Sequence, residues 1–570
     1  MLTNPVFELE IDYHIHSHCW RKSTVSQTTV DSSKADDFQN PSPESQLSIS
    51  DRQSDFNETL SRFFETGVIS TNWDNFEENG TFRNAYIGTH VANLHHLVRD
   101  HEPPETPYLF YPFPAIRDET PWKPSLCMPR HAYLNQNSVN DLSRLPIKPV
   151  RDALVETYFK DIHPGFPIID QAEFRRQYID NDNPPPLLIL QAILLVAARI
   201  SDHPQVATSR TETVATLYRR AKTLFELRHE TDRVDLVQAA LLLAWFNENS
   251  DNVSSNGYHW VGNAVRIAFG MGLHRAASIP YVPKSRSKFY RKYKRTWWLA
   301  FYSEIMLALE HGRPSMIRIE DFDVGLLDED DLKNMDDTED SDINSGFCFV
   351  LMELSLIALG IISLRSPRAK DDGLGMTALQ NRLAAVALNL RPNHDFWSCQ
   401  LRIIYEIITL SLHRTINEEG SMKLCSESAS SILITFEAMS VHNTIRQCHL
   451  STLPALMAAA IQFSRDIRRH LMEGSVLLAI SAHGQLTRLA VVAKTLGSIF
   501  SNIEAIQRLC ETLSTRSKVM IKDSQMTDAS MSMPEVPVEF DIDWDDIMAN
   551  YRIPSIAMGL ETEDWLNEYS

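Results

Sequence analysis

Three histidines and a cysteine, His14, His16, His18 and Cys19, sit near the start of the chain. In a strand their alternate spacing would put the three imidazoles on one face. Imidazole and thiolate are metal ligands, so this group could hold a transition-metal ion. The same residues also read as chance histidines in an unstructured terminus. A looser group, His90, His95, His96 and His101, contains adjacent histidines that cannot share one helical stripe, and no carboxylate stands at zinc-protease spacing. The chain has no GxxxxGK(S/T) phosphate loop, GxSxG elbow or GxGxxG turn. The nearest approach, Gly270-Met271-Gly272, falls at the end of a helical pattern. With no complete nucleophile, metal set or cofactor loop, the chain does not read as an enzyme, and no cofactor is expected in it.

Two charged segments offer binding chemistry instead. Lys284, Arg286, Lys288, Arg291, Lys292, Lys294 and Arg295 interleave with Phe289, Tyr290 and Tyr293, the make-up of a nucleic-acid patch. The plainer reading is a solvated loop and helix start leading into Trp297-Trp298, and a nuclear import signal is a third. From Glu535 to Ser570 the chain is acidic, with Arg552 its single base, and large apolar side chains are threaded through it. Phe540, Trp544, Ile547 and Tyr551 would share a helical face, and Trp565 and Leu566 follow. Acids keep such a segment in solution while the aromatics stay available to a partner groove, which is the physics of an activation segment that folds on binding. A tail that packs back onto its own domain fits the same residues.

The elements that would carry these groups are helical. Hydrophobic residues make up 43% of the 570 residues, charged residues 22%, and there are only 19 glycines, a composition that favours helix over sandwich or barrel. The formal charge is −20, from 54 basic against 74 acidic residues, which disfavours nucleic-acid binding by the bulk surface. Cys19, Cys127, Cys348, Cys399, Cys425, Cys448 and Cys510 form no CxxC pair, so reduced intracellular thiols are expected. Met1 to Cys19 has neither the basic start nor the apolar core of a secretory signal. Leu187–Ile200 and Val350–Leu364 fall short of the ~20 apolar residues of a bilayer span, so no membrane contact is expected.

Residues 21–62 are rich in Ser, Thr, Gln, Asp and Asn, and 1–81 is expected to be a disordered segment. Aromatics mixed with prolines up to Pro149 suggest irregular chain over a core. Helical periodicity then predicts elements over 152–160, 187–200, 214–228, 235–246, 259–271, 296–310, 347–364, 376–390, 396–414, 425–440, 451–470 and 476–514. The expected fold is all-α: one large helical regulatory domain over 82–530, with an acidic-aromatic tail over 531–570.

Four patterns recur in a recognisable order. Leu154 to Phe159, with Tyr158 and Phe159 at its end, is followed by Ile162-His163-Pro164 and Phe166-Pro167-Ile168-Ile169-Asp170. His259-Trp260 leads through Ala264 and Arg266 to Gly272-Leu273-His274-Arg275. Arg295-Thr296-Trp297-Trp298 comes next, then Gly312-Arg313-Pro314 and Asp321-Phe322-Asp323-Val324. From about Tyr86 to the 450s the chain resembles the fungal-specific transcription factor domain, or middle homology region, of the zinc binuclear cluster regulators. Tyr86-Ile87-Gly88 and Asn93-Leu94 look most similar to cutinase-transcription-factor-like members.

The resemblance implies a nuclear, pathway-specific transcription regulator, an activator of catabolic or secondary-metabolite genes, with coactivator or transcription machinery meeting the tail. It implies homo- or heterodimers, although residues 20–80 show no sustained heptad. Read for their chemistry, the tryptophans of these motifs are helix-packing anchors, and Arg266, Arg275 and Arg313 are partners for helix ends or carboxylates. The family usually carries an N-terminal six-cysteine cluster holding two zinc ions and reading the major groove. Only Cys19 precedes Cys127, so this sequence builds no such cluster. Either an upstream exon supplies it, and zinc with it, or DNA is reached through a partner protein. Two other readings stay open: a partner-dependent regulator without DNA contact of its own, and a helical sensor of a small molecule.

Overall fold

A computed structural model describes residues 82–87, 109–114, 141–246, 256–275, 284–333, 342–366, 374–390, 395–414, 416, 418–448, 454–497 and 504–528. Contacts divide the chain into two units, Met1–Phe64 and Glu65–Ser570, and every described residue belongs to the second. Both histidine groups, the 1–81 segment and the acidic-aromatic tail lie outside the described residues.

The all-α expectation holds, with one small sheet beside it. Strand β1 (Phe82–Ile87) pairs antiparallel with β2 (Leu109–Pro114), Phe82 opposite Pro114 and Ile87 opposite Leu109. The prolines there read as irregular chain in the sequence. Pro lacks a donor but is tolerated in an edge strand, and a two-stranded ribbon is all edge.

Helices follow in chain order: α1 (Lys148–Asp161), α2 (Gln171–Ile179), α3 (Leu187–Ile200), α4 (Pro204–Thr208), α5 (Arg210–Glu226), α6 (Arg233–Leu243), α7 (Gly257–Gly270) and α8 (Lys284–His311). Then come α9 (Ser345–Leu364), α10 (Leu374–Asn389), α11 (Phe396–His413), α12 (Glu419–Val441), α13 (Pro454–Met472), α14 (Val476–Gly497) and α15 (Glu504–Asp528). Several starts are set by one short side chain. Asp170, Asp232, Asn256, Asn344 and Asp395 each accept a hydrogen bond from a first-turn backbone N–H of the helix that follows, satisfying a donor the helix itself cannot. Helix α2 had no periodicity to announce it, and its cap is the local signal. The stretch expected as one helix over 476–514 is two, α14 and α15.

Two hydrophobic cores result. Helix α3 is buried along its whole length and is the central post of the first, packed among α1, α5 and α6. Its one internal amide, Gln191, donates to the Arg144 carbonyl at 3.1 Å, so the burial leaves that donor paired. The second core gathers α12, α13, α14 and α15. Helix α11 is the wall between them. Leu401, Ile404, Ile408 and Leu412 face the first core, and Cys399, Ile403, Ile407 and Leu410 face the second. Each set follows the three-to-four-residue helical spacing.

Helices α9 and α14 are long and apolar enough to cross a bilayer by length and composition alone. The apolar stretch Val350–Leu364, read as too short for a span, is the C-terminal part of a 20-residue helix that begins at Ser345. In the structure α9 places nine residues, Phe347 and Leu354 among them, in the first core, against α8, α10 and α11.

Candidate functional site

The first core is organised around the chain from Ile162 to Asp170. Helix α1 ends at Asp161, and the turn after it is held by backbone bonds from His163 to the Tyr158 carbonyl at 2.9 Å and from Phe166 to the Ile162 carbonyl at 3.1 Å. Pro164 cannot continue the helix, and its carbonyl accepts from the Asn344 N–H at 2.7 Å, tying the turn to the start of α9. Gly165 sits hard against the Trp397 ring, so that an added Cβ would lie 2.2 Å from Cζ3. Phe166 then enters a nest of Trp245, Tyr302, Phe347 and Trp397, with ring centroids 5.5–6.4 Å away.

Asp170 does two jobs. Its Oδ1 accepts from the Glu173 N–H at 3.0 Å and caps α2, and its Oδ2 accepts from Arg295 Nη2 of α8 at 2.9 Å. Both side chains of this ion pair are buried. Burial by itself pushes the Asp170 carboxyl up, but Arg295, the Glu173 N–H and Lys292 outweigh it and hold the group below its ordinary value. Beside them His163 is wholly buried, and neither ring nitrogen has a hydrogen-bond partner. Burial, and after it the Arg295 charge, push this imidazole down to about 3, so it is neutral at physiological pH.

The basic run of the sequence is resolved differently from its expected reading. The run lies on a helix rather than a loop: α8 runs unbroken from Lys284, and three of its bases turn onto acids. Lys292 lies 3.6 Å from Glu173 and 3.7 Å from Asp235, Lys294 pairs with Asp331, and Arg295 with Asp170. Internal neutralisation of this kind leaves these three cations committed to the fold rather than offered to phosphate.

The remaining signature residues divide between core and surface. Trp260, Trp297 and Trp298 are all buried. Trp260 Nε1 donates to the Tyr218 hydroxyl at 2.9 Å, and Trp298 Nε1 to the Gly325 carbonyl at 3.0 Å. Ala264 is buried as well. Gly272, at φ 74°, turns the chain at the end of α7, where Leu273 bonds back to the Ala268 carbonyl at 3.0 Å. His274 then packs its ring against Phe269 and Trp297, and burial pushes it down to about 4. Arg275 pairs with Asp323 at 3.7 Å, and the Arg313 guanidinium lies 4.5 Å from the centre of the Tyr258 ring. Gly312 takes φ 60° as α8 ends, and Pro314 is exposed just beyond it. Asp321 Oδ2 accepts from the Arg318 N–H at 3.2 Å. Arg266 points outward into solvent.

The arrangement is therefore a set of interlocking anchors, joining the turn after α1 to α7, α8 and α9. Residues 155–420 match the model of the fungal specific transcription factor domain. Over that span the chain is similar to that domain. Its matched span takes in the whole wall helix α11, so the match covers most of the first core and ends at the start of α12. The acetamidase regulatory protein of Aspergillus fumigatus is 32% identical over 417 residues, covering 69% of this chain and 52% of the relative. That of Emericella nidulans is 31% identical, covering 65% of this chain and 48% of the relative. Cutinase transcription factor 1 alpha of Fusarium vanettenii is 29% identical, covering 63% and 43%. The chain thus spans about half the length of the curated relatives it matches. The domain's family and these relatives are transcription factors, not enzymes. Zinc, which the family implies, finds no seat in the part described: among the described residues no group of three or more His, Cys, Asp or Glu is placed to hold a metal.

Sequence reasoning named the residues on both sides of the central pair without pairing them. It missed Gln238, whose Nε2 donates to the Ile168 carbonyl at 2.7 Å and pins the extended turn from behind. It missed Glu304 too, a buried acid of α8 that accepts from the Met316 N–H at 2.8 Å. A lone amide or acid inside an apolar helical stripe was the available signal for both.

Proposed function

We propose that this chain is the regulatory body of a nuclear, pathway-specific transcription regulator in a fungus. The observation that carries the reading is the domain match over 155–420, together with relatives named as regulators of acetamidase and cutinase. Those names support a catabolic gene set as the target, with a secondary-metabolite cluster as the alternative. The inward-turned bases of α8 support a body that scaffolds and regulates rather than one that grips DNA. DNA contact then falls to a zinc cluster encoded beyond this sequence or to a partner protein, in a homo- or heterodimer. Residues 535–570 supply the contact with coactivator or transcription machinery, through Phe540, Trp544, Ile547, Tyr551, Trp565 and Leu566.

A fusion of the full chain to a neutral DNA-binding domain, read in a fungal reporter strain, tests this. Activation that disappears on deleting 535–570 is the expected result. A well-expressed, nuclear fusion that leaves the reporter silent overturns the activator role, and exclusion of the tagged native chain from the nucleus overturns the reading as a whole.

A further inference from the structure

Helix α14 has two apolar faces, and the second core uses one of them. Ala482, Leu486, Leu489, Ala493 and Leu496 are buried in that core. On the far side Leu477, Ile480 and Val491 stand in one helical stripe, 83%, 41% and 63% exposed. Gly484 lies between them, and an added Cβ there would meet nothing within 4 Å. Leaving large apolar groups in water is unfavourable, and a row of them marks a surface that something covers. The stripe runs between two neighbours. Arg488 pairs with Glu437 of α12, and Thr487 Oγ1 lies 3.4 Å from Ser514 Oγ of α15. One turn before Thr487, His483 is pushed down by burial and then by the charge of Lys518, one turn after Ser514. The two contacts advance in opposite senses, so α14 and α15 are antiparallel, and the end of α15 lies beside Leu477 and Ile480. The chain that leaves α15 at Asp528 therefore starts next to the stripe.

Charge, reach and length decide what covers it. Helix α14 carries no carboxylate, and Lys518 and Lys522 are exposed on the adjoining turns of α15. From Pro454 to Asp528 nine bases outnumber six acids, in a chain whose net charge is −20. A second copy of the same face would set these bases against one another. Residues 535–570 hold ten acids against Arg552 alone, with Phe540, Trp544, Ile547 and Tyr551 at the spacing of one helical face. Fully extended, the chain from Asp528 to Phe540 spans up to ~40 Å, enough to reach any point of the stripe. As a helix, Phe540 to Tyr551 is ~17 Å long, and the stripe from Leu477 to Val491 is ~21 Å.

We infer that the exposed stripe of α14 is a docking face for the chain's own acidic-aromatic tail. Phe540, Trp544, Ile547 and Tyr551 cover Leu477, Ile480 and Val491 as an amphipathic helix, and the acids among them face Lys518 and Lys522. Docking is a property of the purified chain, so the inference does not rest on the tail's part in transcription. Where the tail is also the contact with coactivator, docking and that contact exclude each other, because both use the same aromatics.

The test is zero-length cross-linking of the purified full chain with a water-soluble carbodiimide, which joins a carboxylate to an amine only where the two meet. An equal mixture of isotope-labelled and unlabelled chain separates links within one molecule from links between two. The expected result is amide links from Lys518 or Lys522 to Glu539, Asp541, Asp543 or Asp545, all within one molecule. Leu477→Gln with Ile480→Gln keeps the charge and the helix but removes the apolar stripe, and should lower the yield of these links about fivefold or more. Trp544→Ala, which changes only the tail, should do the same. No link from the tail to either lysine overturns the inference, as do links that join only labelled to unlabelled chain, the mark of a second copy. An undiminished yield in folded L477Q/I480Q or in W544A also overturns it, since charge alone would then bring the groups together. If L477Q/I480Q does not fold, W544A decides by itself.

Discussion

At the scale of single residues, the strongest commitments of this chain are its buried polar groups. Asp170 and Arg295 are taken out of water together, so removing one leaves the other's charge stranded. Asp170→Asn keeps a capping side chain for α2 yet should lower the urea unfolding free energy by about 3–5 kcal/mol, while the apolar double variant D170L/R295M should lose much less. His163 gives a second expectation, with a definite sign. Its imidazole is held down at about 3 in the fold, against 6.5 when free. Between those values the unfolded chain binds a proton that the folded chain refuses. Stability is therefore full above about pH 6.5 and falls as the pH drops towards 3, by up to ~1.4 kcal/mol per pH unit for this one group. His163→Phe should flatten the pH dependence of the denaturation midpoint by about one proton over that window. His274, pushed down to about 4, adds a slope of the same sign. If wild type and H163F titrate in parallel, the refused proton belongs elsewhere.

At the scale of elements, close approach and the two-faced helix are the features to challenge. Gly165 has no room for a methyl group against Trp397, so Gly165→Ala should cost about 1–3 kcal/mol, read from the shift of the urea midpoint. Reducing that ring with Trp397→Leu in the same chain should recover part of the cost, which a double-mutant cycle would measure. Helix α11 serves both cores with neighbouring residues, Ile403 towards α12–α15 and Ile404 towards α1–α10. Either one cut to Ala should destabilise by about 2–5 kcal/mol, but in different places. Hydrogen exchange should rise in α12–α15 for I403A and in α1–α10, α9 and α10 above all, for I404A. Identical exchange patterns would mean that the two cores open as one unit. Much of this level was legible in advance: α3, α7, α9 and α11 lie close to where apolar spacing puts them. The N-terminal half of α8 was not, because Lys and Arg at every second or third position erase the apolar stripe that marks a helix.

At the scale of the whole molecule, a net charge of −20 sets how the chain meets other polymers. Its own affinity for duplex DNA at physiological salt should be negligible, because binding there is driven by counterions released when clustered bases neutralise phosphate. Filter binding of the purified chain to random duplex DNA checks this, and retention that weakens steeply with salt would reveal an unneutralised basic surface.

The amino-acid sequence by itself determined the helical class, most helix positions and the ordered motifs that mark the domain. These are local properties: periodicity, caps and breakers act over one or two turns and survive reading in one dimension. Tertiary structure decided what the motifs are for. That Arg295 answers Asp170, that Gly165 is small because Trp397 is close, and that Lys292 and Lys294 face inward all depend on partners far along the chain. The same holds for the wall helix. Ile403 and Ile404 are alike in type and adjacent in sequence, and only the packing of α12–α15 on the far side gives them different cores. A charge or an apolar side chain carries no address of its own. Its partner is chosen when burial removes water as the alternative.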